Sequence, residues 1–199
     1  MAVGFIIVFF TAIKNIRTRI IAVTGFIGLF LLLVRLTPAI YSRVQEFNNT
    51  PLETPVGIHH NSVNIRVGIY KCTWQLIRNN LLLGIGAGDD KKALTECYTQ
   101  FPTDAYTIRF YNTHNQYANF FLLTGVLSLL LFLYSIVLIY KVAFAKKYYT
   151  LLFFITLMVI SFLTENILSR QAGIVFYYYF TCLLFYQALS YKKIMQATV

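Results

Sequence analysis

The sequence predicts an all-α integral membrane protein. It reads as four full transmembrane helices plus a partial N-terminal one, with a partly helical outer (periplasmic) loop. Three observations carry this expectation. Uncharged runs long enough to cross a bilayer recur along the chain, and basic residues cluster between them. The chain is also 58% hydrophobic and only 12% charged, whereas soluble domains run at about 45–50% and about 25%. That composition excludes a disordered chain, a disulfide-rich secreted module and a typical cytosolic enzyme.

Crossing a ~30 Å hydrocarbon core takes about 20 residues at ~1.5 Å each. The opening run 2–13 is uncharged but falls short of that length. It lacks a basic stretch before it and a small-residue cleavage site after it, so it does not read as a signal peptide. The expectation is the tail end of a spanning helix whose first half is missing, as in a truncated or divided gene product, with a short re-entrant start as the alternative. Run 20–37 is a full span with one charge, Arg35, near enough to its end to snorkel. Runs 115–140, 148–164 and 171–191 carry no charge and complete the four. The chain therefore divides into 1–38, a loop 39–114, three spans over 115–191 and a cytoplasmic tail 192–199.

The net charge of +10 is distributed unevenly. Lys14, Arg17 and Arg19, then Lys141, Lys146 and Lys147, then Lys192 and Lys193 fall on one side under strict alternation. The positive-inside rule makes that side cytoplasmic. The loop 39–114 then faces outward with seven basic residues against six acidic ones. Most of the excess charge orients helices, so no nucleic-acid partner is expected. The localisation expected is a bacterial inner membrane, crossed several times.

The loop is too long for a connector. Residues 45–60 hold Asn48, Asn49, Pro51, Pro55 and Gly57 and read as irregular. Ser62 then caps a helix running to about Asn80, with Val63, Val67, Tyr70, Trp74, Ile77 and Leu81 in one apolar stripe flanked by Arg66 and Arg78. This helix is expected on the outer interface or against the bundle, with Trp74 at headgroup level. Gly84-Ile-Gly86-Ala-Gly88 follows. It reads as a tight turn ending the helix, with a backbone-amide nest for a phosphate as the alternative.

Thr113 is read as the cap of the span that follows, which puts His114 in its first turn. There the helix dipole favours a neutral ring able to accept a proton; the plainer alternative is an interfacial anchor. His59 and His60 have no carboxylate or cysteine at ligand spacing, so no metal is expected. Cys72 and Cys97 both face the oxidising side. A bridge between them is open, although such loops often carry unpaired cysteines. Cys182 lies inside a span. Glu165 and Arg170 bound the last outer turn, either as an ion pair closing it or as contacts to a ligand headgroup.

Taken together, Arg66 ahead of Trp74, the stretch Asn80-Leu-Leu-Leu-Gly84-Ile-Gly86-Ala-Gly88, then His114-Asn115-Gln-Tyr117 and Leu123-Thr-Gly125-Val-Leu form an ordered pattern. It resembles the C-terminal half of the bacterial O-antigen ligase and polymerase superfamily, over roughly residues 20–190. The resemblance implies a metal-independent glycosyltransferase of lipopolysaccharide or polysaccharide biosynthesis, with no cofactor, at the outer face of the inner membrane. The donor would be a glycan on undecaprenyl diphosphate. The acceptor would be a lipid-linked sugar: a glycolipid core for a ligase, a second repeat unit for a polymerase. His114 would be the catalytic base. Arg66, with Arg109 and Arg78 as helpers, would hold the diphosphate, supported by Asn115, Glu165 and Arg170.

Members of that superfamily are usually about twice as long, with around a dozen spans. The resemblance thus carries the expectation that this chain is inactive alone or is completed by a partner protein supplying the N-terminal helices. The contrasting reading is a non-enzymatic membrane component or an inactive fragment.

Overall fold

The computed structural model describes residues 15–58, 60–107 and 110–197. The run 2–13, Lys14, His59 and Arg109 lie outside them. The described residues are helical, with no strand and one isolated bridge between Gly57 and Thr103. Helix α1 (Ile16–Leu36) starts where the Asn15 side chain accepts from the Arg17 amide, 3.0 Å away. It stops at Thr37, which is extended because Pro38 follows. Pro38 then opens α2 (Pro38–Asn49), where its missing N–H costs nothing. The first third of the stretch expected to be irregular is thus helical.

Helix α3 (Ser62–Asn79) matches the expected boundaries but not the expected cap. Asn61 caps it, accepting from Val63 and Asn64 while the Asn64 side chain accepts from the Asn61 amide. The face it turns to the protein shares only Ile77 with the predicted stripe. Ile65, Gly68, Ile69, Cys72 and Ile77 face the protein, while Tyr70 and Trp74 of the predicted stripe stay outside, 42% and 52% exposed. The helix is apolar on two faces. Gly68 selects the buried one, since a side chain there would collide with the Tyr106 hydroxyl.

Helix α4 (Asp90–Tyr98) packs on α3 and is joined to it covalently, for Cys72 and Cys97 are disulfide-bonded with Cα atoms 5.8 Å apart. This settles the pairing that the sequence left open and against which the frequency of unpaired loop cysteines had spoken. Cys182 is free and exposed.

Helix α5 (Gln116–Ala145) is broken at Gly125, where φ is 76°. Its two arms fold toward each other. The Phe120 and Phe132 rings lie 4.6 Å apart and the Ser128 hydroxyl donates to the Phe120 carbonyl at 3.1 Å, whereas a straight helix would separate residues twelve apart by about 18 Å. The glycine turn after α3 meets this break. The Ile85 and Gly86 amides donate to the Leu122 and Leu123 carbonyls at 2.8 and 2.9 Å, and the Val126 amide to the Leu81 carbonyl at 3.0 Å. The Ile85 and Gly86 amides are thereby committed to a backbone clasp.

Helices α6 (Tyr149–Ser161) and α7 (Gln171–Ala197) complete the bundle, joined by a 3-10 turn at Ile167–Ser169. Among the described residues three helices, α1, α5 and α7, are long and apolar enough to cross a membrane. The fourth expected span is α6, whose thirteen residues reach about 20 Å. It ends early because the chain past Ser161 is drawn into polar contacts with the start of α5: the Gln116 amide donates to the Phe162 carbonyl at 2.8 Å. At the other end Tyr148 donates to Gln187 at 2.8 Å. The turn after α5 and the second half of α7 therefore share one end of the bundle.

Two apolar cores result. The bundle core gathers Phe132, Leu151, Ile155, Phe162 and Tyr177 from α5, α6 and α7. The loop core gathers Ile65, Ile69, Cys72, Leu94 and Tyr106, with Leu122 of α5 inserted into it.

Candidate functional site

Three of the candidate residues, Arg66, His114 and Arg170, gather beside the first arm of α5. Asn115 caps α5, accepting from the Ala118 amide at 2.9 Å and donating to the Leu163 carbonyl at 3.2 Å. Thr113, expected in that role, instead exchanges hydrogen bonds with the buried side chain of Asn166. His114 consequently precedes the cap rather than sitting in the first turn. Its φ of 45° is the left-handed region, uncommon for a residue with a β-carbon. The Asn112 side chain accepts from its amide at 3.0 Å.

The first arm of α5 then fixes the 162–170 segment. Leu168 donates its amide to the buried Gln116 side chain at 2.7 Å, and Ser169 donates to the buried Asn119 side chain at 3.2 Å. Polar groups withdrawn from water need such partners, so these bonds lock the segment in place. Two charged residues are thereby positioned. Glu165 Oε1 comes to 3.7 Å from His114 Nδ1, and Arg170 turns toward α3. Glu165 and Arg170 do not pair with each other among the described residues, so the ion-pair reading of that turn gives way.

On the opposite wall stands Arg66. Its neighbour Ile65 is anchored by Tyr106, whose hydroxyl donates to the Ile65 carbonyl at 2.9 Å. Burial pushes that phenol up to about 12 and raises Tyr98, stacked against it at 4.4 Å, as well. Arg66, His114 and Arg170 line one cleft of about 280 Å³, walled by Ile69, Phe110 and Tyr111. The described residues include every Asp and Glu of the chain, and none of them lies within ion-pair distance of Arg66 or Arg170. Two uncompensated guanidiniums facing a histidine make a site suited to a doubly charged anion.

Arg78 stands apart. Its guanidinium lies 5.1 Å from the centre of the Trp74 ring, a cation–π contact on the exposed face of α3, and it does not line the cleft. Arg109 lies outside the described residues, although its neighbour Phe110 forms part of the wall. His60 pairs with Asp104 at 3.4 Å, and no metal-binding cluster occurs among the described residues. Sequence reasoning passed over Gln116, Asn119 and Asn166. For the first two a signal was present: with Asn115 they put three amides among the first five residues of the uncharged run 115–140.

Residues 1–133 match the family model described as O-antigen ligase. No curated protein matches the chain. The membrane-type helices and a match over 133 of 199 residues place it plainly: this chain belongs to the O-antigen ligase family.

Proposed function

We propose that the cleft carries out glycosyl transfer from a glycan on undecaprenyl diphosphate to a hydroxyl of a lipid-linked acceptor, as an O-antigen ligase or repeat-unit polymerase does. The observation that carries this reading is the convergence of Arg66, His114 and Arg170 on one cleft. In the reaction the acceptor oxygen attacks the anomeric carbon, its proton passes to His114, and the carbon–oxygen bond to the diphosphate breaks. Charge develops on the departing diphosphate. Arg66 and Arg170 meet that charge where it forms, and their fork geometry suits phosphate oxygens better than an ammonium would. Glu165 faces the imidazole from 3.7 Å and stabilises it once it holds the proton. Asn115 keeps His114 in register by tying the start of α5 to Leu163.

The disulfide supports an outward-facing loop, because such bonds persist in oxidising compartments and are rare in the cytosol. An inner-membrane location with the cleft on the periplasmic side accommodates both facts. The decisive experiment is His114→Ala, assayed for glycan transfer in intact membranes. Transfer should fall by at least about 100-fold; undiminished transfer would sink the catalytic assignment.

A further inference from the structure

Helix α3 keeps a second face outside the protein, where Tyr70, Lys71, Trp74 and Arg78 are all exposed. Lys71, Trp74 and Arg78 follow one another at spacings of four or less and share that face. No acidic residue occurs in α3, and no carboxylate lies within ion-pair distance of Lys71 or Arg78 among the described residues. Just past the helix come Leu81, Leu82 and Leu83, which are 49–85% exposed. Consecutive leucines at the tip of a turn are a large apolar area to leave in water.

Both ends of α3 are tied to elements that emerge from the membrane. At its start Glu46 pairs with Arg43 at 2.8 Å and accepts from the Ser62 amide and hydroxyl at 3.2 and 3.1 Å. That carboxylate staples α3 to α2, which Thr37 alone separates from membrane-type α1. Ile40, Tyr41, Val44 and Phe47 of α2 are exposed, as in a helix lying in a bilayer interface. At its other end the clasp joins Leu81 to Val126. Because α5 folds back at Gly125, the arm that crosses is 126–145, which ends at Lys146 and Lys147. Its length of about 30 Å matches the hydrocarbon core. Val126 therefore stands at the outer edge of the hydrocarbon, with Leu81 beside it. The next exposed side chains along that arm are Leu127, Leu130 and Leu131.

We infer that the outer face of α3 and the Leu81–Leu83 turn dock on anionic phospholipid in the outer leaflet. The leucines enter the acyl region and Trp74 lies at headgroup level, where indoles favour the interface. Lys71 and Arg78 meet lipid phosphates, with Arg78 held at the height of the indole by its 5.1 Å contact with that ring. Continuity with the crossing arm of α5 and the unbalanced positive charge of α3 carry the inference. The dock fixes how high Arg66, on the same helix, stands above the bilayer. It does not rest on the transfer reading given above.

Trp74 is the single tryptophan of the chain, so its fluorescence reads this face directly. The test uses the full-length protein in phosphatidylethanolamine–phosphatidylglycerol vesicles. Bromine near the headgroup end of the acyl chains should quench Trp74 strongly, and acrylamide in the water only weakly. Strong acrylamide quenching without bromine quenching puts the face in water and overturns the inference. Quenching by neither puts it under protein, a second copy included, and overturns it too. With bromine on one lipid at a time, phosphatidylglycerol should quench at about fivefold lower mole fraction than phosphatidylcholine, the attraction of one basic side chain at a surface. Lys71→Gln/Arg78→Gln should abolish that preference. Equal quenching by the two lipids in the parent protein overturns the anionic assignment. Leu82→Ser/Leu83→Ser should raise acrylamide quenching about twofold as the apolar anchor is lost, and unchanged quenching removes the leucines from the dock. His114→Ala should be quenched as the parent is, so the transfer reading and the dock fail separately.

Discussion

Gly84 and Gly125 stand back to back. A β-carbon on Gly84 would land on the Leu123–Thr124 peptide, and one on Gly125 would land on the Leu82 carbonyl. Both have positive φ, 69° and 76°. The two glycines let the turn after α3 and the break in α5 approach at backbone distance, and three backbone hydrogen bonds then clasp them. Gly84→Ala and Gly125→Ala should each destabilise the protein by more than the ~1–2 kcal/mol of a left-handed alanine, because a steric clash adds to it. Thermal unfolding in detergent checks this. A variant with unchanged Tm would contradict the clasp.

Arg66→Lys and Arg170→Lys keep the charge and lose the fork. Each should raise KM for the donor or lower kcat/KM by roughly 10–100-fold, the cost of a lost hydrogen bond to a charged group. Arg78→Lys should have little effect on transfer, for Arg78 lies against Trp74 outside the cleft. Steady-state kinetics on the three variants separates these expectations.

Glu165→Gln removes the charge facing His114 and keeps the shape. It should lower kcat by about tenfold with little change in donor KM, since the imidazolium exists only once the proton has moved. A rise in donor KM with kcat intact would assign Glu165 to binding instead.

The Cys72–Cys97 bond closes a loop with a sequence separation of 25. Its removal in Cys72→Ser/Cys97→Ser should cost about 2–4 kcal/mol. Hydrogen exchange should quicken first in α3 and α4, and reductant should reproduce the effect in the parent protein but not in the variant.

Tyr106 gives a pH dependence. An unfolded phenol ionises near 10, and burial holds this one un-ionised up to about 12. Its contribution is therefore complete below pH 10 and is lost as pH rises from 10 through 12. Glu46 acts at the other end. Hydrogen bonds from Arg43 and then Ser62 hold its carboxyl below the ordinary 4.5, so the staple it forms is intact above that pH and is lost as pH falls through the lowered value. Tyr106→Phe should flatten the alkaline limb of a Tm–pH profile and leave the acid limb alone. An unchanged alkaline limb would show that Tyr106 does not control it.

How much of this was legible in the sequence varies with how local the cause is. The extent of α3 was legible, since helical periodicity is a property of neighbours in the chain. Which face it buries was not, because Val67 and Tyr70 look as apolar as Ile65 and Ile69. The choice depends on Gly68 meeting Tyr106, about forty residues away. Hydropathy likewise found the run that became α6 but not its early end, which depends on Gln116 and Thr113 pulling on Phe162 and Asn166. Of the site, His114 and Arg66 were legible as residue types in a pattern. Arg170 was read as a supporting residue, and its place opposite Arg66 depends on the buried amides Gln116 and Asn119, which no spacing rule reveals.

Arg66 rides on the loop core and Arg170 on the bundle. Between them lies the first arm of α5, with Leu122 sunk in the former and Tyr117 and Phe120 resting on the latter. Gly125 ends that arm. Backbone hydrogen bonds at that break and the Gln116 and Asn119 bonds to the 162–170 segment hold the arm to both sides, so the gap between the two cations is set by the contacts that also hold the cores together.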